Sequence, residues 1–177
     1  LYEPYVGSAL DYVELAQARH GPIERPVDFA YVWGDAPAAL RRDTPDLRIV
    51  NLETAVTASE AAWPGKSIHY RMHPRNAYCL QAAAIDCFVL ANNHVLDWGY
   101  AGLRETLATL TRAGIKTAGA GSNLAEAQAP ALLEVAGKGR VLVYAFGTPN
   151  SGVARDWAAG AARDGVNLLP DFAEPTL

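Results

Sequence analysis

Apolar positions recur along the chain with two periods. In residues 8–20 (SALDYVELAQARH), Leu10, Val13 and Ala16 or Gln17 fall at helical spacing, and Gly21-Pro22 stops the run. Residues 26–35 (PVDFAYVWGD) are aromatic and irregular. Asp35 then stands as the N-cap of a second helix, with Pro37 in its first turn. Residues 47–53 (LRIVNLE) form a short β-type run, and residues 68–72 (IHYRM) predict a further extended piece ending before Pro74. A helix is predicted over residues 76–84 (NAYCLQAAA) and a strand over residues 87–91. In residues 101–113, Leu103, Leu107 and Leu110 share one helix face, closed by Gly114. A strand over residues 115–118 and a short helix over 123–128 follow. Residues 131–135 and 140–146 then pair as a hairpin around Gly137-Lys138-Gly139.

Strands alternating with helices predict βαβ units, hence an α/β fold with a mostly parallel sheet. The strands at 47–50, 87–90 and 115–118 are expected side by side, with helices 76–84 and 101–113 as the crossovers. The trailing hairpin is expected to make that sheet mixed. After Gly147 the chain is rich in Gly, Pro and Asn and loses its periodicity.

Composition narrows the class. A chain of 177 residues with 50% hydrophobic content suits one core, because a domain of this size buries roughly 70% of its unfolded surface. The net charge is -4. No Lys/Arg cluster appears, so nothing points to nucleic acid or an anionic membrane. The two cysteines, Cys79 and Cys87, make no disulfide framework and read as small buried apolar residues. No run of about 18 apolar residues occurs, so no membrane-spanning helix is predicted. The chain begins with Leu1 rather than Met and shows no signal peptide. It therefore reads as one domain or part of one, with any signal or anchor expected upstream.

In open α/β sheets, ligands bind beyond the carboxyl ends of the strands. After the first strand come Asn51, Leu52 and Glu53. After Phe88-Val89-Leu90 come Asn92, Asn93 and His94. After the third comes Gly119-Ala120-Gly121-Ser122-Asn123. Carboxylate and amide oxygens suit hard divalent cations, and imidazole suits transition metals. The mixture therefore fits a metal site that carries out hydrolysis. The same residues also fit turn chemistry: Asn92, Asn93 and Asp97 tolerate left-handed backbone, Asp97 is placed to cap the helix after Trp98-Gly99, and His94 could be a hydrogen-bonded core histidine.

The segments NLETAVT (51–57), KSIHYRMHP (66–74), LANNHVLDWGYAGLRETL (90–107) and AGAGSN (118–123), in this order, resemble the CapA-type capsule-synthesis family, also called poly-γ-glutamate biosynthesis proteins. That family belongs to the calcineurin-like metallophosphoesterase superfamily. The resemblance runs from about Tyr5 to Leu169. It implies a four-layer α/β/β/α sandwich, of which residues 1–177 form a partial domain. The opening strand with its Gly-Asp is expected upstream of Leu1, and the later histidine motifs downstream of Leu177. It also implies roles. Glu53 matches an acidic metal ligand, with Asn51 beside it. Asn93 matches a metal-binding Asn, and His94 a histidine that supports the substrate in the transition state. Asn92 replaces the glycine usual before that pair. Asp97 is expected to cap the helix and orient the loop. The cofactors implied are divalent metal ions (Mn, Fe, Zn or Mg), two in the full-length protein. The partners implied are an anionic polymer or a phosphorylated small molecule, and a membrane-associated polymer synthase.

Weaker signals have plainer readings beside them. His69 and His73 share one face of an extended piece and read as hydrogen-bonded histidines or as a ligand pair. Lys66 and Arg71 read as solvated, or as contacts for an anion. Gly119-Ala120-Gly121 reads as a tight turn, or more weakly as a nucleotide-binding turn. Trp33, Trp63, Trp98 and Trp157 read as core and rim packing, or as the lining of a groove. Two function classes stand: a divalent-metal hydrolase of a surface polymer or its precursor, and a non-catalytic accessory protein of polymer synthesis or export built on the same fold.

Overall fold

The computed structural model describes residue 4 and residues 6–173; Leu1 and Leu177 lie outside the described residues. In chain order its helices and strands are α1 (Ala9–His20), α2 (Ala36–Asp43), β1 (Ile49–Asn51), β2 (Ala55–Val56), β3 (Arg71–Met72), α3 (Tyr78–Ala82), β4 (Cys87–Val89), α4 (Gly99–Arg112), β5 (Lys116–Ala118), β6 (Ala120–Gly121), α5 (Leu124–Gln128), β7 (Ala131–Val135), β8 (Gly139–Val143) and β9 (Gly165–Val166). Among the described residues, no helix is long and apolar enough to cross a membrane.

A three-stranded sheet in the order β1-β4-β5 lies at the centre, parallel throughout. Its register is level. Ile49, Cys87 and Lys116 stand abreast at one end, and Asn51, Val89 and Ala118 at the other. The predicted neighbours are therefore neighbours, and the chain is an α/β fold with parallel strands and helical crossovers. The crossover α4 buries Leu103 and Leu110 completely and keeps Leu107 half-buried against the same cluster, as its apolar spacing predicted.

The hairpin departs from expectation. β7 and β8 pair with each other, from Ala131 opposite Val143 to Val135 opposite Gly139, and not with the parallel sheet. The expected mixed sheet is thus a parallel sheet with separate strand pairs around it. The reason lies in the burial alternation. β7 buries Ala131 and Leu133 and exposes Leu132 and Glu134. Its inner face packs with Val143 against Cys87 and Ala118, so side chains make the contact that backbone pairing would have made.

Other boundaries shift for local reasons. Ser8 caps α1 in a full capping box with Asp11, yet no residue of α1 is buried. Asp35 occupies the N-cap position of α2 but makes no side-chain capping bond there. A 3₁₀ turn at Pro74–Ala77 takes the first part of the predicted third helix, with His73 accepting from Arg75 N at its start. The aperiodic segment after Gly147 gives the main core Val153, Trp157 and Val166.

Two contacts tie α4 to the exit of β2. Thr106 Oγ1 accepts the Val56 N–H at 2.9 Å and donates to Gly102 O at 2.8 Å. The Glu105 carboxylate accepts from the Thr57 hydroxyl and from Ala58 N. These bonds hold its pKa below the ordinary carboxylate range, with the Thr57 hydroxyl the larger cause.

Thr106→Val keeps the side-chain shape and orphans the buried Val56 N–H, so chemical denaturation should show a loss of about 1–3 kcal/mol. Because the folded-state pKa of Glu105 is depressed, its stabilisation is present above the unfolded carboxylate pKa of about 4.3 and is lost as pH falls through the lower folded value. Denaturation of wild type and Glu105→Gln across pH should therefore show a gap at neutral pH that closes on acidification.

Candidate functional site

Because β1 and β4 end level, the residues that follow them leave on one edge. Leu52 N bonds Val89 O at 3.1 Å, and Leu90 N bonds Ala118 O at 2.9 Å, so pairing continues to the last apolar residue of each strand. The chain then turns tightly, with Asn92 N on Leu90 O at 2.8 Å. Asn92 is the buried pin of this turn. Its Nδ2 donates to Asn51 Oδ1 and to Leu52 O, both at 2.9 Å, and its Oδ1 accepts from His94 N at 3.0 Å. A glycine here could make none of these side-chain bonds. The amide ties the exit of β1 to that of β4 and fixes the backbone from which His94 projects.

His94 is buried, with its ring stacked on Tyr70 at 4.2 Å between centroids and 19° between planes. Behind it lies Asp97, which is wholly buried. Asp97 Oδ2 sits 2.7 Å from His94 Nδ1 and accepts from Tyr70 N at 2.6 Å. Asp97 Oδ1 pairs with the Lys66 ammonium at 2.9 Å, as an ion pair rather than an aligned hydrogen bond. Lys66 Nζ also approaches His94 Nδ1 to 3.3 Å. An ammonium only donates and a carboxylate only accepts. The 2.7 Å contact therefore places the proton on Nδ1, and the 3.3 Å approach is not a hydrogen bond. In the neutral ring, Nε2 is then the nitrogen that carries the lone pair.

This arrangement corrects the expected role of Asp97. The N-cap position of α4 belongs to Trp98, without a side-chain cap bond. Asp97 instead holds the imidazole from behind and takes no part in the helix end. It also explains Lys66, which the sequence offered as a solvated charge or as a contact for an anion. Only a fifth of the Lys66 side chain is exposed.

On the open side, His94 Nε2 faces Glu53 Oε1 at 4.0 Å. Glu53 is half in solvent and accepts from Asn51 Nδ2 at 3.3 Å. Asn51, Glu53, Asn92 and Asn93 line a cleft of about 460 Å³ together with Tyr144, Phe146 and Ser151. Asn93 lies beside Gly152, which takes φ +83° in a left-handed turn. Any Cβ there would come to 3.3 Å from Asn93 Nδ2. Asn51, Glu53 and Asn93 thus line one cleft, and His94 meets it through Glu53. The donor set is one carboxylate, amide oxygens and one imidazole nitrogen, which suits a single divalent cation in chemical type. Among the described residues, no group of three His, Cys, Asp or Glu is placed to hold a metal.

The remaining candidates lie elsewhere. His69 is buried, with Nε2 3.0 Å from Trp63 O and its ring against Trp98, whereas His73 caps a turn. They form no ligand pair. Arg71 lies 4.2 Å over the Trp98 ring and donates to Ser59 O. At Gly121 a Cβ would strike Ala127 N and Glu126 Cβ, and Ser122 N bonds the Glu126 carboxylate. The anion at that turn is the chain's own. The tryptophans are spread: Trp98 and Trp157 are buried, and Trp33 donates to Cys79 O. Cys79 and Cys87 are free thiols, and burial raises the pKa of both.

A family model described as bacterial capsule synthesis protein PGA_cap matches residues 7–176. The chain is 42% identical over 174 residues to a probable polyglutamine synthesis accessory protein of Mycobacterium tuberculosis, found alike in strains CDC 1551 and H37Rv, covering 98% of this chain and 46% of the relative. It is 37% identical over 133 residues to an uncharacterized protein of Sinorhizobium fredii, covering 70% of this chain and 28% of that protein. The chain thus spans about half the length of the mycobacterial relatives it matches.

Asn92→Ala removes three side-chain bonds at a buried position and leaves the Leu52 carbonyl and the His94 N–H short of partners. The expected cost is about 2–4 kcal/mol in chemical denaturation. Hydrogen exchange at His94 N should rise with it, well above the effect of Ala at the solvent-facing Glu53.

Proposed function

Since the chain belongs to the bacterial capsule synthesis protein PGA_cap family, we propose that the cleft at the exits of β1 and β4 is a divalent-cation hydrolase site of the calcineurin-like kind, serving the synthesis of a surface polymer. One observation carries the reading: a carboxylate half in solvent faces, at 4.0 Å, an imidazole nitrogen whose ring is clamped from behind by a buried aspartate. A carboxylate and a neutral imidazole nitrogen are both acceptors, so the gap between them suits a cation, a proton or a donating water.

In this reading Glu53 and Asn93 hold a divalent cation (Mn, Fe, Zn or Mg). Asn51 stands beside them, because its amide oxygen keeps a lone pair beyond the bond from Asn92. Such a cation would polarise a phosphoryl-type oxygen and lower the pKa of a bound water. His94 works through Nε2, the ring nitrogen turned to Glu53, on transition-state charge or as a proton carrier. Asp97 keeps the ring in one tautomer and orientation, the part that carboxylates play behind working imidazoles. The described residues supply donors for one ion; the second ion of a paired site draws on donors other than these. The substrate in this reading is an anionic polymer or a phosphorylated small molecule, and the partner a membrane-associated polymer synthase. The fold in this reading is a four-layer α/β/β/α sandwich.

A second reading has its own support. The mycobacterial relatives are named accessory proteins, and among the described residues no three of His, Cys, Asp or Glu are placed to hold a metal. Here the same cleft binds polymer without cutting it.

Metal content by elemental analysis and manganese-dependent hydrolysis of a generic phosphodiester, both on the full-length protein, separate the two. Glu53→Ala and Asn93→Ala should lower metal content together with the rate. His94→Ala should keep the metal and lose roughly 10²–10⁴-fold in turnover. A metal-loaded but inert full-length protein assigns the accessory role. Metal lost in His94→Ala but kept in Asn93→Ala overturns the division of labour.

A further inference from the structure

We propose that Lys66 is a positioning residue of this site: its ammonium holds the buried Asp97 carboxylate in place, and through it fixes the His94 ring with Nδ1 protonated and Nε2 turned to Glu53. The inference rests on the reading of His94 as the working imidazole.

The physical need is clear. A carboxylate with no solvent exposure must receive both its hydrogen bonds and its countercharge from the protein. Tyr70 N and His94 Nδ1 supply hydrogen bonds to Oδ2. Among the described residues, no other lysine or arginine pairs with Asp97. Lys66 Nζ completes its own set on Ile68 O at 2.7 Å, so the ammonium is held on two sides. Without it, the carboxylate keeps its hydrogen bonds on Oδ2 but loses its countercharge, and its hold on the ring weakens.

The segment that carries Lys66 is built to deliver it. Residues 58–65 form no helix or strand, yet they are strapped across the start of α4. Trp63 N bonds Asp97 O at 2.8 Å, Ser59 Oγ donates to Trp98 O at 3.3 Å, and Arg71 donates to Ser59 O. The Trp63 ring packs edge-on to Trp157 and Tyr100 at 5.3 and 5.5 Å between centroids. Most of these anchors close on the Asp97–Trp98 backbone or its neighbours, so the strap and the carboxylate are registered to each other before Lys66 reaches back.

The test reads the ring itself, so it is independent of metal and turnover. Full-length protein labelled with ¹⁵N-histidine is compared at one neutral pH as wild type, Lys66→Arg, Lys66→Met, Asp97→Asn and the double variant Lys66→Met/Asp97→Asn. The His94 signals are identified by their loss in His94→Gln. Wild type and Lys66→Arg should show one ring species with the proton on Nδ1, and Lys66→Met should lose that species. If Lys66 acts through Asp97, Asp97→Asn and the double variant should share one altered pattern, because removing the ammonium has no further route to the ring. The double variant removes both charges of the pair together, so it keeps the comparison open where Lys66→Met leaves a lone buried charge and does not fold. A Lys66→Met protein with the wild-type ring signature overturns the proposal. So does a double variant whose His94 differs from that of Asp97→Asn.

Discussion

A carboxylate sealed from water is the demand around which the functional end of this molecule is arranged. Asp97 needs two hydrogen-bond donors and a cation. It draws them from three places: the segment before β3, the turn after β4, and the strap between β2 and β3. Meeting that demand brings Tyr70, His94 and Lys66 to one spot. The energetic logic is asymmetric. A complete buried pair adds little net stability over an apolar replacement, whereas a broken one is expensive. Such a group is retained where it specifies a geometry rather than where it adds strength. Here the geometry is that of one imidazole.

The level register of the parallel sheet supplies the second condition. Asn51, Val89 and Ala118 end abreast, so the residues beyond them share an edge without any long excursion of the chain. The Asn92 amide then converts proximity into fixed geometry by bridging the two exits. Strand pairing, turn and clamp act in series. Each rests on the one before.

Legibility in the sequence followed locality. The run from Cys87 to Leu90 and the spacing of Leu103, Leu107 and Leu110 show their burial within a few residues, and these elements fell where expected. Glu53, Asn93 and His94 stood out because they follow apolar strands directly; Glu53 and Asn93 line one cleft, and His94 approaches Glu53. Asp97 did not declare its role. An aspartate just before a helix looks like a cap, and only the distant Lys66 and Tyr70 reveal that it faces inward. Trp157 and Val153 were hidden because their burial comes from packing under aperiodic chain. The hairpin showed its own pairing through alternation, but side-chain pattern carries no information on whether such a pair joins a neighbouring sheet through backbone or through side chains. The glycine reading at 119–121 likewise hinged on what fills the space beside the turn, which is Glu126 and Ala127.

The cleft has two walls of different origin. One follows the strand exits and is tied by the Asn92 bridge, whose loss disturbs the turn. Tyr144, Phe146 and Ser151 on the other side come from the exit of β8 and a short turn, and all three are exposed. Substitution at these three positions therefore leaves the packed interior untouched. If the cleft works as proposed, what it recognises can change there without touching the Asn92 bridge.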